Sequence, residues 1–355
     1  MSGGVDSSLA AALLLEQGFE VIGITMDLYS LPPDACLDPH LKSCCGIEAA
    51  HNAAKVAKTL GIEHFLLDFK PEFQEKVVVD FCAEYSQGHT PNPCIRCNEQ
   101  IKFQTFWEKA ANFKPDFMAT GHHARIGSAA VSDRRLLLKG QDAGKDQSYF
   151  LYTLTQEQLA RTLFPIGEMT KAEVRKKARR FGLPVAGRPE SQEICFIPDN
   201  NYIGFLEKHV PEAFSPGPIV DVEGHVLGEH GGILRFTIGQ RRGLGIAAPH
   251  PLYVLEIRTK DNTIVVGENH HLDQAQLKAR QLNWISKPSL EEPCELEVRI
   301  RYKHKETLAL VSPCGADCVT VEFKPPQRAI TPGQSVVFYQ EDVVVGGGII
   351  AEVIP

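Results

Sequence analysis

The chain has 355 residues, with 37 Lys and Arg against 44 Asp and Glu, for a formal net charge of -7 at pH 7. At roughly 150 residues per domain, this length predicts two or three domains. A hydrophobic content of 43% with 23% charged residues excludes extensive disorder, and no apolar run reaches the ~20 residues that a membrane span needs. The first motif begins at Ser2, leaving no room for a signal peptide before it. A cytosolic location without a membrane partner is therefore expected, and the ten cysteines are not read as a disulfide framework.

In chain order, the first 200 residues alternate helix and strand signals as an α/β domain does. Ser7 to Gln17 predicts an amphipathic helix stopped by Gly18. Glu20 to Tyr29 follows as a strand, Cys45 to Leu60 as a helix closed by Gly61, and Ile62 to Phe69 as a strand. Glu72 to Tyr85 is a helix, Pro91 to Asn98 a loop, Glu99 to Asn112 a helix and Asp116 to Thr120 a strand. Thr170 and Glu173 form a capping box that opens a basic helix ending at Gly182 and Pro184.

From about Asn201 the texture changes to short β-rich runs rich in Gly and Pro. Arg235 to Ile238, Tyr253 to Arg258 and Thr263 to Gly267 predict strands of a small middle domain over 201–275. Runs such as Cys294 to Tyr302, Leu308 to Val311 and Val319 to Phe323 alternate in period two. With Ser335 to Tyr339 and Val343 to Ile350 they predict an antiparallel barrel or sandwich over 276–355.

The chemistry starts at Ser2-Gly3-Gly4-Val5-Asp6-Ser7-Ser8, which runs straight into a helix. Glycines let the backbone approach a phosphate closely, while hydroxyls and a helix N-terminus supply donors and positive potential. The loop lacks the Lys-Ser/Thr ending of a Walker A motif. Taken as bare glycines, it could be an ordinary turn before a helix. The whole string resembles the pyrophosphate-binding loop of the ATP pyrophosphatase (PP-loop) superfamily, whose members adenylate an oxygen and release pyrophosphate. In that superfamily a buried strand leads into the loop. This chain starts at Met1, so the true start is expected upstream, with an impaired, truncated protein as the alternative.

Pro91-Asn92-Pro93-Cys94-Ile95-Arg96-Cys97-Asn98 holds a C-x-x-C close to a helix N-terminus, a position that favours a thiolate. Taken alone it could be half of a zinc site completed by Cys36, Cys44 or Cys45. Cys195, within Ser191-Gln192-Glu193-Ile194-Cys195-Phe196-Ile197, reads on residue type as core packing. Cys82 and Cys294 read as small hydrophobes.

The motifs occur in a fixed order: SGGVDSS, Cys44-Cys45-Gly46, PNPCIRCN, Thr120-Gly121-His122-His123-Ala124-Arg125, Lys145-Asp146-Gln147-Ser148-Tyr149 and SQEICFI. Phe236-Thr237-Ile238-Gly239-Gln240-Arg241-Arg242-Gly243 and Thr331-Pro332-Gly333-Gln334 follow. Together they closely resemble the bacterial tRNA-specific 2-thiouridylase family over essentially the whole chain. The resemblance implies an N-terminal PP-loop domain with a parallel sheet over 1–200, then the small β-rich domain and a C-terminal antiparallel β-barrel.

It also implies roles. ATP, with Mg2+, would be held by Met1, Ser2, Gly3, Gly4, Val5, Asp6 and Ser7, together with Met26 and Gly121 at strand ends. Ligands of open α/β sheets sit at such ends. Cys97 would be the nucleophile and Cys195 the persulfide carrier, closing a Cys97–Cys195 disulfide in the cycle. Asn92, Pro93, Cys94, His122, Lys145, Asp146, Gln147, Arg301, Tyr302 and Gln334 would contact tRNA. A sulfur-carrier protein or cysteine desulfurase would supply the sulfur.

Three basic clusters fit phosphate-backbone contact: Lys171, Arg175, Lys176, Lys177, Arg179 and Arg180 on one helix, Arg241 with Arg242, and Arg299, Arg301 and Lys303. Other readings compete with this one. A PP-loop ligase acting on a small molecule would explain the loop. An iron–sulfur cluster could sit on Cys94, Cys97 and Cys195. A tRNA-binding protein with a degenerate ATP site is the non-enzymatic alternative.

Overall fold

The computed structural model describes residues 1–29, 47–188, 194–197 and 199–354. The chain divides into two compact units. The first comprises Met1–Val78, Pro93–Asn200 and Asp342–Val344; the second comprises Val79–Asn92, Asn201–Glu341 and Val345–Pro355.

The first unit is α/β. Helix α1 (Val5–Glu16) and strand β1 (Gly23–Asp27) precede α2 (Ile47–Leu60) and β2 (His64–Asp68). β1 and β2 pair in parallel, with Gly23 opposite His64 and Asp27 opposite Asp68. A second parallel pair joins β3 (Met118–Ala119) to β6 (Thr162–Leu163). Between them, β4 (Ala124–Ser128) and β5 (Arg135–Lys139) form an antiparallel hairpin, and Val343 and Val344 pair with Leu138 and Leu137. The parallel pairs carry the PP-loop domain expected from the sequence.

One side of α1 makes a core with the helix Lys171–Arg180. Val5, Leu9, Ala10, Ala12 and Leu13 pack with Val174, Ala178, Leu183 and Val185. The helix Lys171–Arg180 begins as its sequence dictates. Thr170 Oγ1 accepts the Glu173 amide, and Glu173 Oε2 accepts the Thr170 amide at 2.8 Å, closing the capping box.

The second unit is β-rich. A four-stranded sheet holds β7 (Gly217–Val220), β8 (Val226–His230), β9 (Tyr253–Arg258) and β10 (Thr263–Gly267), in the order β8-β7-β10-β9. The strand expected over Arg235 to Ile238 does not form: Ile233–Arg235 is a short 3-10 turn. Gly232 and Gly239 flank it at φ 124 and 83, left-handed conformations that a pleated strand does not tolerate.

Six further strands close a barrel: β11 (Asp273–Trp284), β12 (Cys294–Arg299), β13 (Thr307–Gly315), β14 (Cys318–Arg328), β15 (Ser335–Gln340) and β16 (Val343–Ile354). Their order is β11-β14-β13-β12-β15-β16, and β16 returns to β11. Closure removes exposed edges. The alternating inward side chains, among them Leu277, Val298, Val311, Val321, Phe323 and Phe338, form its core.

The cysteine reading needs one correction. Cys314 and Cys318 are disulfide-bonded, across the β13–β14 turn where Gly315 faces Cys318. Antiparallel register brings the two Cα atoms to 5.2 Å, within reach of a bridge. Cys82 is buried and Cys294 packs beside the barrel core, both as expected.

Candidate active site

The glycine-serine loop is a tight cradle in front of α1. Gly3 has φ +67, and a Cβ there would fall 2.4 Å from the Ala49 carbonyl oxygen of α2. Only glycine fits such a position. The hydroxyls face one another: Ser7 Oγ accepts the Ser2 amide at 3.1 Å and lies 3.2 Å from Ser2 Oγ. Ser8 Oγ donates to the Gly4 carbonyl at 2.8 Å. Gly4, the N-cap, has no side chain to cap the helix, and the N-terminal amides of α1 suit an anion.

Gly121 forms a wall of the same cradle. A Cβ on Gly121 would sit 2.5 Å from the Ser7 amide nitrogen and 2.6 Å from the Asp6 carbonyl carbon. Met1 lies along β1, where its carbonyl accepts Thr25 Oγ1 at 2.6 Å, and Met26 is the next residue of that strand. The sequence-predicted nucleotide residues Met1 to Ser7 and Gly121 are thus assembled, with Met26 on the strand beside them.

Behind the loop lies a polar cluster that the sequence did not announce. Lys171 Nζ donates to both carboxylate oxygens of Asp6, at 2.8 and 2.6 Å. His123 is buried, and its Nε2 lies 3.4 Å from Asp6 Oδ1. Burial alone would raise the Asp6 pKa; the contacts with His123 and Lys171 outweigh it and hold the carboxyl below its usual value. This corrects the reading of the basic helix, because Lys171 is buried and spent on Asp6. Arg175 also turns inward, donating to the Ala186 and Arg188 carbonyls. Lys176, Arg179 and Arg180 are exposed.

The C-x-x-C segment is helical rather than a loop. Pro93–Arg96 forms the first turn and Cys97–Thr105 continues it with widened turns. Proline is compatible with a first helical position because its missing N–H has no partner to lose there. Cys94 is exposed, whereas Cys97 is buried at 7% exposure. The neighbouring Asn98, also buried, donates to the Phe150 carbonyl at 3.0 Å and accepts Lys102 Nζ at 2.8 Å. Cys97 is thereby fixed relative to the segment that follows Lys145-Asp146-Gln147.

Within that segment the Asp146 carboxylate is enclosed. It accepts the Gly140 and Ser148 amides, each at 3.0 Å, and the Ser148 hydroxyl at 2.9 Å. Gln147 exchanges bonds with the His123 backbone. His122 lies near the rings of Phe103 and Phe164, with Nδ1 2.8 Å from Thr120 Oγ1. Burial, with Lys102 and His123 nearby, holds the His122 imidazole well below its ordinary pKa.

Cys195 is half-buried on a turn closed by the bond from the Ile197 amide to the Ile194 carbonyl. The core role belongs to its neighbours: Phe196 and Ile197 are buried, and Phe196 packs against Phe73 and Tyr29. Cys36, Cys44, Cys45, Gly46 and Ser191 to Glu193 lie outside the described residues.

In the second unit, the TPGQ motif holds the chain just ahead of Asn92. Gln334 Nε2 donates to the Thr90 carbonyl at 2.6 Å, and the Thr90 amide donates to the Pro332 carbonyl. Arg301 donates to the Arg328 carbonyl at 3.1 Å; Tyr302 follows it, half-buried. Arg299 pairs with Glu306 at 2.7 Å and covers the Tyr339 ring, whereas Arg241, Arg242 and Lys303 are exposed. Among the described residues, one trio of metal-ligating side chains gathers its ligand atoms within 4.8 Å: the surface residues Asp221, Glu223 and His225. No helix among the described residues is long and apolar enough to cross a membrane.

Comparison with known proteins agrees with this architecture. Residues 1–199 match the family described as tRNA methyl transferase HUP domain. Residues 203–268 match the tRNA methyl transferase PRC-barrel domain, and 274–350 the aminomethyltransferase beta-barrel domain. The chain is 49% identical over 352 residues to the tRNA-specific 2-thiouridylase MnmA of Heliobacterium modesticaldum, covering 99% of this chain and 91% of that one. It is 50% identical over 350 residues to tRNA-specific 2-thiouridylase MnmA 1 of Caldanaerobacter subterraneus, covering 99% and 96%. Against the corresponding protein of Acetivibrio thermocellus it is 49% identical over 352 residues, covering 99% and 97%.

Proposed function

The chain belongs to the tRNA-specific 2-thiouridylase family, and we propose that it replaces the C2 oxygen of the wobble uridine in tRNAs for Glu, Gln and Lys with sulfur, at the expense of ATP. The observation that carries the site assignment is a close-packed glycine cradle, Gly3 to Ser7 walled by Gly121, in the same compact unit as Cys97 and Cys195.

The C2 carbonyl of uridine is a poor electrophile. Its oxygen attacks the α-phosphorus of ATP and pyrophosphate departs, leaving an O-adenylyl group at C2. The N-terminus of α1 and the Ser2 and Ser7 hydroxyls suit the phosphates, with Mg2+ accompanying the nucleotide. The terminal sulfur of a Cys195 persulfide then attacks C2 and AMP leaves with the former C2 oxygen. The Cys97 thiolate attacks Cys195 Sγ, breaks the bond to the transferred sulfur and closes a Cys97–Cys195 disulfide, which a thiol reductant reopens. In the alternative order, Cys97 first releases hydrosulfide from Cys195, and hydrosulfide attacks C2.

The target base must leave the anticodon stack to be reached. Asn92, Pro93, Cys94, His122, Lys145, Gln147, Arg301 and Tyr302 are assigned to tRNA contact. Asp146 contributes by holding its turn and Gln334 by holding Thr90. A sulfur-carrier protein or cysteine desulfurase loads Cys195, and a cytoplasmic location belongs to this reading.

The test is thiolation of unmodified tRNA with ATP and a persulfide donor, read as 2-thiouridine by nucleoside mass spectrometry. The wild-type chain should form product, whereas Cys97→Ser and Cys195→Ser should fall to background while still binding ATP. Full activity in both variants would refute the relay.

A further inference from the structure

The sulfur relay leaves the protein oxidised, and the C-x-x-C segment carries a thiol that the relay does not use. Cys94 is exposed, whereas Cys97 is buried and Cys195 half-buried. Thiol–disulfide exchange depends on access to the sulfur that is attacked. A Cys97–Cys195 disulfide therefore offers the Cys97 sulfur poorly to a reductant arriving from solvent.

Cys94 and Cys97 are one helical turn apart. Pro93–Arg96 passes directly into Cys97–Thr105, and Arg96 has φ -60 and ψ -40. Residues three apart on a helix share a face. At helical rise and radius their Cα atoms are about 5 Å apart, inside the roughly 4.4–6.8 Å that a disulfide spans. Cys94 also lies in the first turn of the helix, where the N-terminus favours the attacking thiolate. Asn98, bonded to Phe150 and Lys102, holds the Cys97 end of that turn in place.

We propose that Cys94 is the resolving thiol of the cycle. Its thiolate attacks Cys97 Sγ of the Cys97–Cys195 disulfide. The Cys94–Cys97 bond forms, the Cys97–Cys195 bond breaks, and Cys195 leaves as a thiolate ready for the next persulfide. The exchange involves no net oxidation; it moves the oxidised pair to the exposed start of the helix. A dithiol reductant then attacks Cys94 Sγ, is itself oxidised to a disulfide, and returns Cys94 and Cys97 as thiols. Cys94 is also assigned to tRNA contact, so the exchange follows departure of the thiolated tRNA. This rests on the Cys97–Cys195 relay.

The experiment follows one turnover of the full-length protein with a persulfide on Cys195, supplied with ATP and tRNA but no reductant. Acid quench, thiol alkylation and peptide mass spectrometry locate the disulfide, counted per 2-thiouridine formed. Wild type should hold a Cys94–Cys97 disulfide with Cys195 alkylated, and Cys94→Ser should hold Cys97–Cys195 instead. With thioredoxin as the reductant, the ratio of steady-state to first-turnover rate should fall on the order of tenfold in Cys94→Ser, because a thiol held in register outpaces an external one. Loss of a tRNA contact alone would lower both rates together and leave the ratio unchanged.

A Cys97–Cys195 disulfide in wild type with Cys94 alkylated, or an unchanged ratio in Cys94→Ser, would overturn the proposal. The wild-type map decides even if the variant does not fold. No disulfide at Cys97 in either protein would refute the relay itself, and the role of Cys94 with it.

Discussion

Gly121 lies so close to the first turn of α1 that a Cβ on it would sit 2.5 Å from the Ser7 amide nitrogen. The strand-end Thr-Gly-His-His motif and the glycine-serine loop are therefore one structure, although more than a hundred residues separate them. Both partners in the collision are backbone, so neither can rotate out of the way. Gly121→Ala must displace the loop, and overpacking of this kind costs roughly 1–3 kcal/mol. We expect ATP binding weakened on the order of tenfold or more, with only a modest fall in thermal stability. Calorimetric titration with ATP checks this; unchanged affinity would remove Gly121 from the site.

Asn98 anchors the helix that carries Cys97. Its side chain is buried and bonds both Phe150 and Lys102. Asn98→Leu keeps the volume but removes the bonds to the Phe150 carbonyl and to Lys102, a loss of roughly 1–3 kcal/mol for a buried hydrogen-bonding side chain. Thiolation should fall further than this stability loss explains, because the Cys97 thiol is no longer fixed in register. Urea denaturation and single-turnover thiolation measure the two effects separately, and a proportionate decline in both would mean that Asn98 serves folding alone.

Much of the architecture was legible in local sequence, for physical reasons that differ by element. The capping box at Thr170 and Glu173 is read from residues three apart, and it forms as read. The barrel strands reveal themselves by period-two burial, as in Leu296 and Val298 of β12. A run of Lys and Arg on one helix suggests phosphate contact for Lys171, but its partner Asp6 is 165 positions away, and no local pattern reports such a pairing. The two prolines of the PNPC segment suggest a loop, yet Pro93 occupies the first helical turn. Asp146 is expected at the tRNA from the motif alone, and only the fold shows its carboxylate accepting from the Gly140 and Ser148 amides and the Ser148 hydroxyl.

The TPGQ motif should act through the chain ahead of Asn92. A Cβ on Gly333 would lie 2.7 Å from His89 Cβ and 2.8 Å from the Thr90 amide nitrogen, and its φ is +87. Gly333→Ala therefore combines a collision with backbone strain, and should destabilise the protein by about 2–4 kcal/mol. Gln334→Ala removes one bond to the Thr90 carbonyl and should cost about 1 kcal/mol. Denaturant melts should rank the two in that order. The reverse ranking would show that the Gln334 amide, and not the glycine conformation, holds the segment.

Acid should weaken the fold through imidazoles that it holds neutral. Burial lowers the pKa values of His64, His122 and His230 below their ordinary value, and that of His304 to about 4, where Arg301 also contributes. In the unfolded chain each titrates near ~6.5. Between the two values the unfolded state binds more protons, so stability is complete above about pH 6.5 and drains away as the pH falls toward each folded value. Urea midpoints should decline steadily from pH 7 to pH 5.5, above the range in which most carboxylates titrate. His304→Asn removes one of these groups and should make the decline shallower. A midpoint that rises on acidification, or an unchanged slope in the variant, would show that the fold does not hold these histidines neutral.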